Sequence, residues 1–357
     1  MNFNKSFVLY GTLLFFFAVF CAASCQPPTP PDPTPVDAQI EGLYILNEGL
    51  FQHNNSTISY YDFESGTFHA DFFLEVNQRG LGDTGNDLKR YGSKMYCVVN
   101  NSHRVEVMDL ATARSVKVIS LPHKSPRSIT FHEGKAFVSC FDGDVVRIDT
   151  ATLEVDRTVH SGNNPEGLCV CNGKLYVANS GGLNNPDYDK TLSVFDVNTL
   201  TLQNTIEVGI NPYKVAASDD GRYVYVCTRG DYISQCGTFL CVDAQTDQVV
   251  RTWQNVQNFT LFQDKAYVYE VDYDAASNPV KVIDLSNPDA EATLFITDGT
   301  VIQMPYGITV NPLNEDVYIT DAYNFTVTGD VYCFDKNGKK KYSFSAGLNP
   351  SVIVFKQ

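Results

Sequence analysis

The chain has 357 residues, with 41 acidic side chains against 26 lysines and arginines and a formal net charge of −15. So acidic a surface excludes nucleic-acid backbones and anionic headgroups as its main partners, because like charges repel. A hydrophobic share of 43% leaves ample material for a large folded core.

Residues 1–24 read as a targeting segment. Lys5 supplies a positive start, Phe7–Phe20 an apolar run, and Ala22-Ala23-Ser24 stand directly before Cys25. Small residues before a cysteine fit a bacterial lipoprotein signal, cleaved before Cys25 and lipidated on its sulfur. The apolar run is too short for an uncleaved span, so the expected membrane contact is the lipid anchor only. Gln26–Pro35 then holds six prolines in ten residues, which favours a semi-rigid polyproline II spacer of about 30 Å. The expected domains are a leader (1–24), a lipid-anchored tether (25–41) and a folded body (42–357).

The body opens on "GLYILNEGLF", an apolar run that stops at Asn47-Glu48-Gly49. Its Tyr44 position recurs at Tyr96, Phe137, Tyr176, Tyr225, Tyr267 and Tyr318, at spacings of 39–52 residues. Turns such as "HEGK", "CNGK" and "DDGR" precede these strands, and Gly, Asn and Asp tolerate the positive φ of tight hairpins. Each copy continues into a strand ending in Asp: Asp62, Asp109, Asp149, Asp196, Asp243, Asp284 and Asp335. An Asp there is expected to fasten the next turn through its side chain. A proline opens the apolar strand in "SPRSITF", "NPEGLCV", "NPYKVAA", "MPYGITV" and "NPSVIVF", where a missing backbone donor is tolerated.

Seven repeats of this length are the mark of propeller blades. The last opening strand, Pro350–Phe355, has no aromatic strand after it, and "LYILNEG" has no opening strand before it. Pairing the two removes both free edges. The fold class is therefore all-β, a seven-bladed β-propeller with blade one closed by the C-terminal strand.

Eight cysteines follow Cys25 at irregular spacing, mostly inside strand-like runs, and read as small buried hydrophobes. A disulfide between Cys227 or Cys236 and Cys241 stays open at this point.

Propellers bind ligands where the strand-opening loops and the loops joining strands two and three meet at the channel mouth. The candidate ligand-binding residues on those loops are Asn47, Glu48, Phe51, Asn86, Asp87, Asn100, His103, Arg127, Asn164, Glu166, Asn179, Tyr188, Tyr213, Lys214, Arg229, Tyr232, Tyr273, Tyr306 and Tyr323. Turn chemistry accounts for many of the Asn and Asp residues but not for the aromatic ones. Aromatic walls with amide and hydroxyl groups suit a large, neutral, polar-edged ligand.

There is no H-E-x-x-H, G-x-S-x-G or P-loop motif, so no catalytic residues, no metal and no catalytic cofactor are expected. Asp142 and Asp144 in "FDGD" read as a turn rather than half a calcium loop. A metal-dependent enzyme would need carboxylates such as Glu48, Glu166, Asp142 and Asp321 to converge.

The D-x-x-T-L motif, the "DDGRYVYV" hairpin and the N-P-x-x strand openings resemble the YncE/YVTN family of seven-bladed propellers over residues 42–357. The opening "GLYILNEGLFQHNNSTISYYDFESG", with "LGDTGNDLKRYGSKMYCVVNNSHRVEVMDLAT", is similar to the DUF5074-type surface lipoproteins of gut Bacteroidetes. Within that group it resembles the BtuG-type surface cobalamin-binding propellers. That resemblance implies a cell-surface, outer-membrane lipoprotein. It would bind cobalamin (vitamin B12) or a related corrinoid as ligand and pass it to a TonB-dependent outer-membrane transporter. The alternative is a propeller binding or scaffold lipoprotein for a glycan, peptide or protein partner.

Overall fold

The computed structural model describes residues 39–273, 275–287 and 289–357. The expected leader, Cys25 with its expected lipidation, and the proline-rich stretch Gln26–Pro35 lie outside the described residues.

The seven repeated aromatic residues are buried anchors of the fold. Tyr44, Tyr96, Phe137, Tyr176, Tyr225, Tyr267 and Tyr318 are each at most 3% exposed. Complete burial of one such side chain stabilises by roughly 1.5–3 kcal/mol. Each sits on the second strand of a four-stranded antiparallel sheet, and there are seven such sheets among the described residues. They are the seven blades of a β-propeller. The opening strands are Pro350–Lys356 in blade one, Gly85–Tyr91 in blade two, Pro126–His132 in blade three, Pro165–Cys171 in blade four, Pro212–Ala217 in blade five, Asn258–Phe262 in blade six and Pro305–Val310 in blade seven.

Blade one is assembled from both ends of the chain. Gly42–Asn47 lies between Thr57–Asp62 and Pro350–Lys356, in the order read from the sequence. The seam is fastened by Asn47, which is fully buried. Its amide donates to Thr57 Oγ1 at 2.9 Å and Ser59 Oγ at 2.8 Å, and its Oδ1 accepts from the Gly347 backbone N–H at 2.9 Å.

The aspartates at the ends of the third strands fasten their turns as expected. Asp62, Asp149 and Asp196 accept backbone N–H groups three residues on at 2.7–2.8 Å, and Asp109 and Asp243 do so at 2.9 and 3.0 Å. Asp284 and Asp335 bind the N–H two residues on.

Between blades the faces pack into continuous apolar layers. One layer joins Leu46 and Tyr60 of blade one to Leu88, Met95 and Cys97 of blade two. Another joins Tyr176 and Val194 of blade four to Val224 and Leu240 of blade five. Blade one departs from the repeat. Its fourth strand is only Phe68–His69, and a short helix follows, Phe72–Asn77, which the sequence pattern does not predict. Asp71 caps it by accepting the Leu74 N–H at 3.1 Å, and Phe73 fills the layer toward blade two.

The eight cysteines among the described residues are free thiols. Cys227 faces Phe239 across its ladder and Cys241 faces Tyr225, so the two are not opposed, and Cys236 is exposed. The disulfide left open by the sequence does not form.

Candidate functional site

A repeated defect in the opening strands builds the mouth of the channel. In blades two, three, four, five and seven, the register between strands one and two slips just after the first residue. The same slip occurs between Asn47 and Leu46 where they face Pro350 and Val352 in blade one. Each slip inserts one extra residue, a β-bulge, which re-aims a side chain away from the sheet. The residues at the bulges are Asn86, Arg127, Glu166, Tyr213, Tyr306 and Ser351, and all of them line one central cavity of about 650 Å³. Blade six, whose opening strand has neither proline nor bulge, contributes Asn258. Close approach of neighbouring blades is part of the device. A Cβ on Gly307 would lie 2.3 Å from the Ser351 carbonyl, so only glycine fits beside Tyr306.

The bulged side chains form one charged network. Arg127 binds Glu166 with both arms of its guanidinium, at 2.8 and 3.0 Å, and donates to Asn86 Oδ1 at 3.0 Å. Asn86 donates to Glu48 Oε1 at 3.3 Å, and the Tyr306 hydroxyl donates to the other Glu48 oxygen. Arg229 stacks 3.6 Å over the Tyr213 ring and lies 3.9 Å from Glu166. Burial raises the Glu48 pKa above the ordinary glutamate value, against the opposing pull of the Tyr306 hydrogen bond and the two arginines. Burial also pushes Tyr306 well above its usual range, reinforced by the Glu48 charge. For Arg127, burial works against the charge, and Glu166 outweighs it and raises the pKa.

Lys214 stands one residue past its bulge, donating to Asn258 Oδ1 at 3.0 Å. Burial, with the nearby Lys89 charge, lowers its pKa to about 8.

Beside this network lies an aromatic slot of about 70 Å³, which shares Tyr213, Arg229, Asn258 and Tyr306 with the channel. Tyr232, Tyr273 and Phe325 complete it, from the second-to-third-strand loops of blades five, six and seven. Phe325 meets Tyr306 edge-on at 5.4 Å and Tyr273 at 6.4 Å, and Tyr188 meets Tyr232 at 6.2 Å. Tyr232 and Tyr273 are more than half exposed.

The other candidates are placed elsewhere. Asn47, Asn100 and Asn179 are buried fasteners. Asn179 repeats the Asn47 arrangement with Thr191, Ser193 and Ser161, and Asn100 donates to the Pro126 carbonyl at 3.1 Å. Asn164 spends its amide on the Phe141 carbonyl and the Leu183 N–H. Asp87 lines the channel wall but is held by Ser128 Oγ at 2.7 Å and the Ile129 N–H at 3.0 Å. His103 binds the Lys124 carbonyl. Tyr323 turns to Asp330, and its neighbour Phe325 takes the place in the slot. Phe51 is exposed on the blade-one loop.

Ser351, Gln257, Asn258, Tyr269 and Phe325 are among the site residues that escaped sequence reasoning. Tyr269 ends a second strand like the others, and its hydroxyl donates to the Tyr306 carbonyl, which holds blades six and seven together at the mouth.

The carboxylates do not converge. Asp321 accepts the Gln303, Met304 and Tyr323 N–H groups, and Asp142 pairs with Lys124 at 2.7 Å. Lys124 also holds Asp144. Only Glu48 and Glu166 reach the mouth, each partnered as described above. Among the described residues, no group of three or more His, Cys, Asp or Glu side chains is arranged to hold a metal ion.

Residues 41–356 match the family described as a domain of unknown function, DUF5074. No curated protein matches the sequence. Among solved structures, the chain is similar to a quinoprotein alcohol dehydrogenase-like protein from Bacteroides thetaiotaomicron, with a TM-score of 0.67 and 17% identity over 89% of this chain and 78% of that one. It is also similar to hydrazine synthase from Kuenenia stuttgartiensis, with a TM-score of 0.57 and 16% identity over 69% and 74% of the two chains. A computationally designed protein, Ika8, matches with a TM-score of 0.57 and 13% identity over 88% and 96%. At these identities the likenesses show the fold alone.

Proposed function

The chain belongs to the DUF5074 family, and from that premise we propose that it is a lipid-anchored capture protein of the outer membrane, displayed at the cell surface. It binds cobalamin or a related corrinoid at the channel mouth and passes it to a TonB-dependent transporter. The observation that carries this reading is the ring of bulged side chains beside the aromatic slot. Six blades each aim one residue at the same opening, and tyrosines flank it on three blades. A corrinoid has a broad, largely apolar face and a fringe of amides. Tyr213, Tyr273, Tyr306 and Phe325 offer ring faces and edges, and the side-chain amide of Gln257 offers a donor for that fringe.

The leader and Cys25 carry the anchoring half of the proposal, and the proline-rich stretch after Cys25 holds the body away from the membrane. The resemblance of the opening segment to surface cobalamin-binding propellers supports the choice of ligand.

The test is titration calorimetry of the purified protein with cyanocobalamin. One-to-one binding with co-elution of the red ligand is expected. Absence of both would remove the corrinoid and leave the mouth to a glycan, peptide or protein partner.

A further inference from the structure

The cations at the mouth are not equally engaged. Arg127 is held by Glu166 and Asn86, and Lys214 by Asn258. Arg229 donates no side-chain hydrogen bond among the described residues. Its contact with Glu166 is 3.9 Å, beyond hydrogen-bond distance, and the same Glu166 oxygen already accepts from Arg127 at 3.0 Å. Stacking on Tyr213 covers one face of the guanidinium and fixes its plane. The edge of a guanidinium carries N–H donors in a fork that matches the spacing of two oxyanion oxygens.

That guanidinium lines the aromatic slot with Tyr213, Tyr232, Asn258, Tyr273 and Tyr306. Its volume of about 70 Å³ suits one small group rather than a second ring system. Two of the slot's aromatic residues are held in the left-handed backbone region, Tyr232 at φ +60° and Phe325 at φ +64°. Bulky side chains adopt that conformation at a cost, and such positions concentrate where a ligand must be met by a fixed surface. The Tyr232 turn is fixed by Asp231, which accepts the Ile233, Ser234 and Gln235 N–H groups and the Ser234 hydroxyl.

We infer that the Arg229 edge of the aromatic slot is an oxyanion subsite, and that it takes the phosphate of a ligand whose planar part lies across the tyrosines. This rests on the corrinoid reading and deepens it. The peripheral groups of a cobalamin are neutral amides, and the phosphodiester of its nucleotide loop is its one oxyanion. Arg229 therefore selects corrinoids that carry the loop.

The experiment compares cyanocobalamin with dicyanocobinamide, which lacks the nucleotide loop and its phosphate, on the wild-type protein and on R229Q and R229K. A charge-assisted forked contact corresponds to about a tenfold or greater affinity difference. The wild type should prefer cyanocobalamin by at least that factor. R229Q should lose the preference, with cyanocobalamin affinity falling further than that for dicyanocobinamide, and R229K, which keeps the charge but not the fork or the stack, should fall between. Equal loss for both ligands in R229Q, or no loss for either, would overturn the subsite. If neither corrinoid binds the wild type, the capture reading fails. The subsite is then decided by titration with adenosine monophosphate: binding that R229Q abolishes supports it, and no binding overturns it.

Discussion

The Tyr306 hydroxyl on the first strand of blade seven donates a hydrogen bond to the Glu48 carboxylate at the end of the second strand of blade one. The two residues are 258 positions apart, and the contact spans the seam where the two ends of the chain meet. Closure of the ring and formation of the channel mouth therefore depend on the same residues. A ligand that engages Tyr306 also reads whether the ring is closed.

Glu48 predicts a pH dependence. Burial raises its pKa in the folded protein, so the folded state holds this proton to a higher pH than the unfolded chain does. A group of this kind contributes stability that is present below the ordinary glutamate pKa and lost as pH rises through the folded-state value. Glu48→Gln removes that loss. In urea unfolding between about pH 4 and pH 7, wild-type stability should fall relative to the variant as pH rises, and parallel profiles would contradict the account.

Lys214 should titrate apart from the surface lysines. Its folded-state pKa of about 8 lies below the ordinary lysine value, so folding releases this proton. Stability from this group therefore rises as pH climbs from about 8 toward the unfolded value of about 10.4. Competitive acylation read by mass spectrometry should give Lys214 a reactivity midpoint near pH 8. A midpoint shared with exposed lysines would contradict the burial argument.

The Arg127–Glu166 pair predicts strong coupling. Glu166 is nearly enclosed, and its partner is a two-armed guanidinium. Glu166→Gln should destabilise by about 3 kcal/mol, because it leaves a desolvated arginine without its counter-charge. Replacing both residues with methionine should recover most of that loss, and additive losses in a double-mutant cycle would contradict the pairing.

Fasteners and ligand groups should separate cleanly. Asn47→Ala removes two hydrogen bonds within the blade-one hairpin and one to Gly347 near the C-terminal strand, and should cost about 2 kcal/mol or more in chemical unfolding. Tyr273→Ala, on a half-exposed loop, should leave the unfolding midpoint within about 0.5 kcal/mol while weakening ligand binding. A stability loss for Tyr273→Ala as large as that for Asn47→Ala would place the residue in the core and not at the mouth.

The architecture was legible because each blade repeats the same local rules. An aromatic second strand and an Asp at the end of the third recur in all seven blades, and a proline opens the first strand in five; these are properties of short windows, and the structure uses them as the pattern implies. The site was legible only in part. Position on the right face does not reveal which way a side chain turns. Asn47, Asn100 and Asn179 sit at or just past the ends of second strands beside the mouth, yet their amides are consumed by their own blade or the neighbouring one. Asn258 went unread because blade six opens with neither the proline of five blades nor the glycine of blade two. Phe325 was passed over for Tyr323 because two residues of one loop are equivalent in sequence until the hydrogen bond from Tyr323 to Asp330 separates them. Five of the six bulged residues were among the sequence candidates, and the sixth, Ser351, follows its opening proline as Arg127, Glu166, Tyr213 and Tyr306 follow theirs.

The most direct test of the central claim is the position of cobalt in crystals grown with cyanocobalamin, located by anomalous scattering. The account predicts a single cobalt over the mouth, within reach of Tyr213, Tyr306 and the Arg229 slot. A cobalt at the opposite end of the channel, beside Arg90 and Gln357, or no ordered cobalt in crystals of the folded protein, would contradict it.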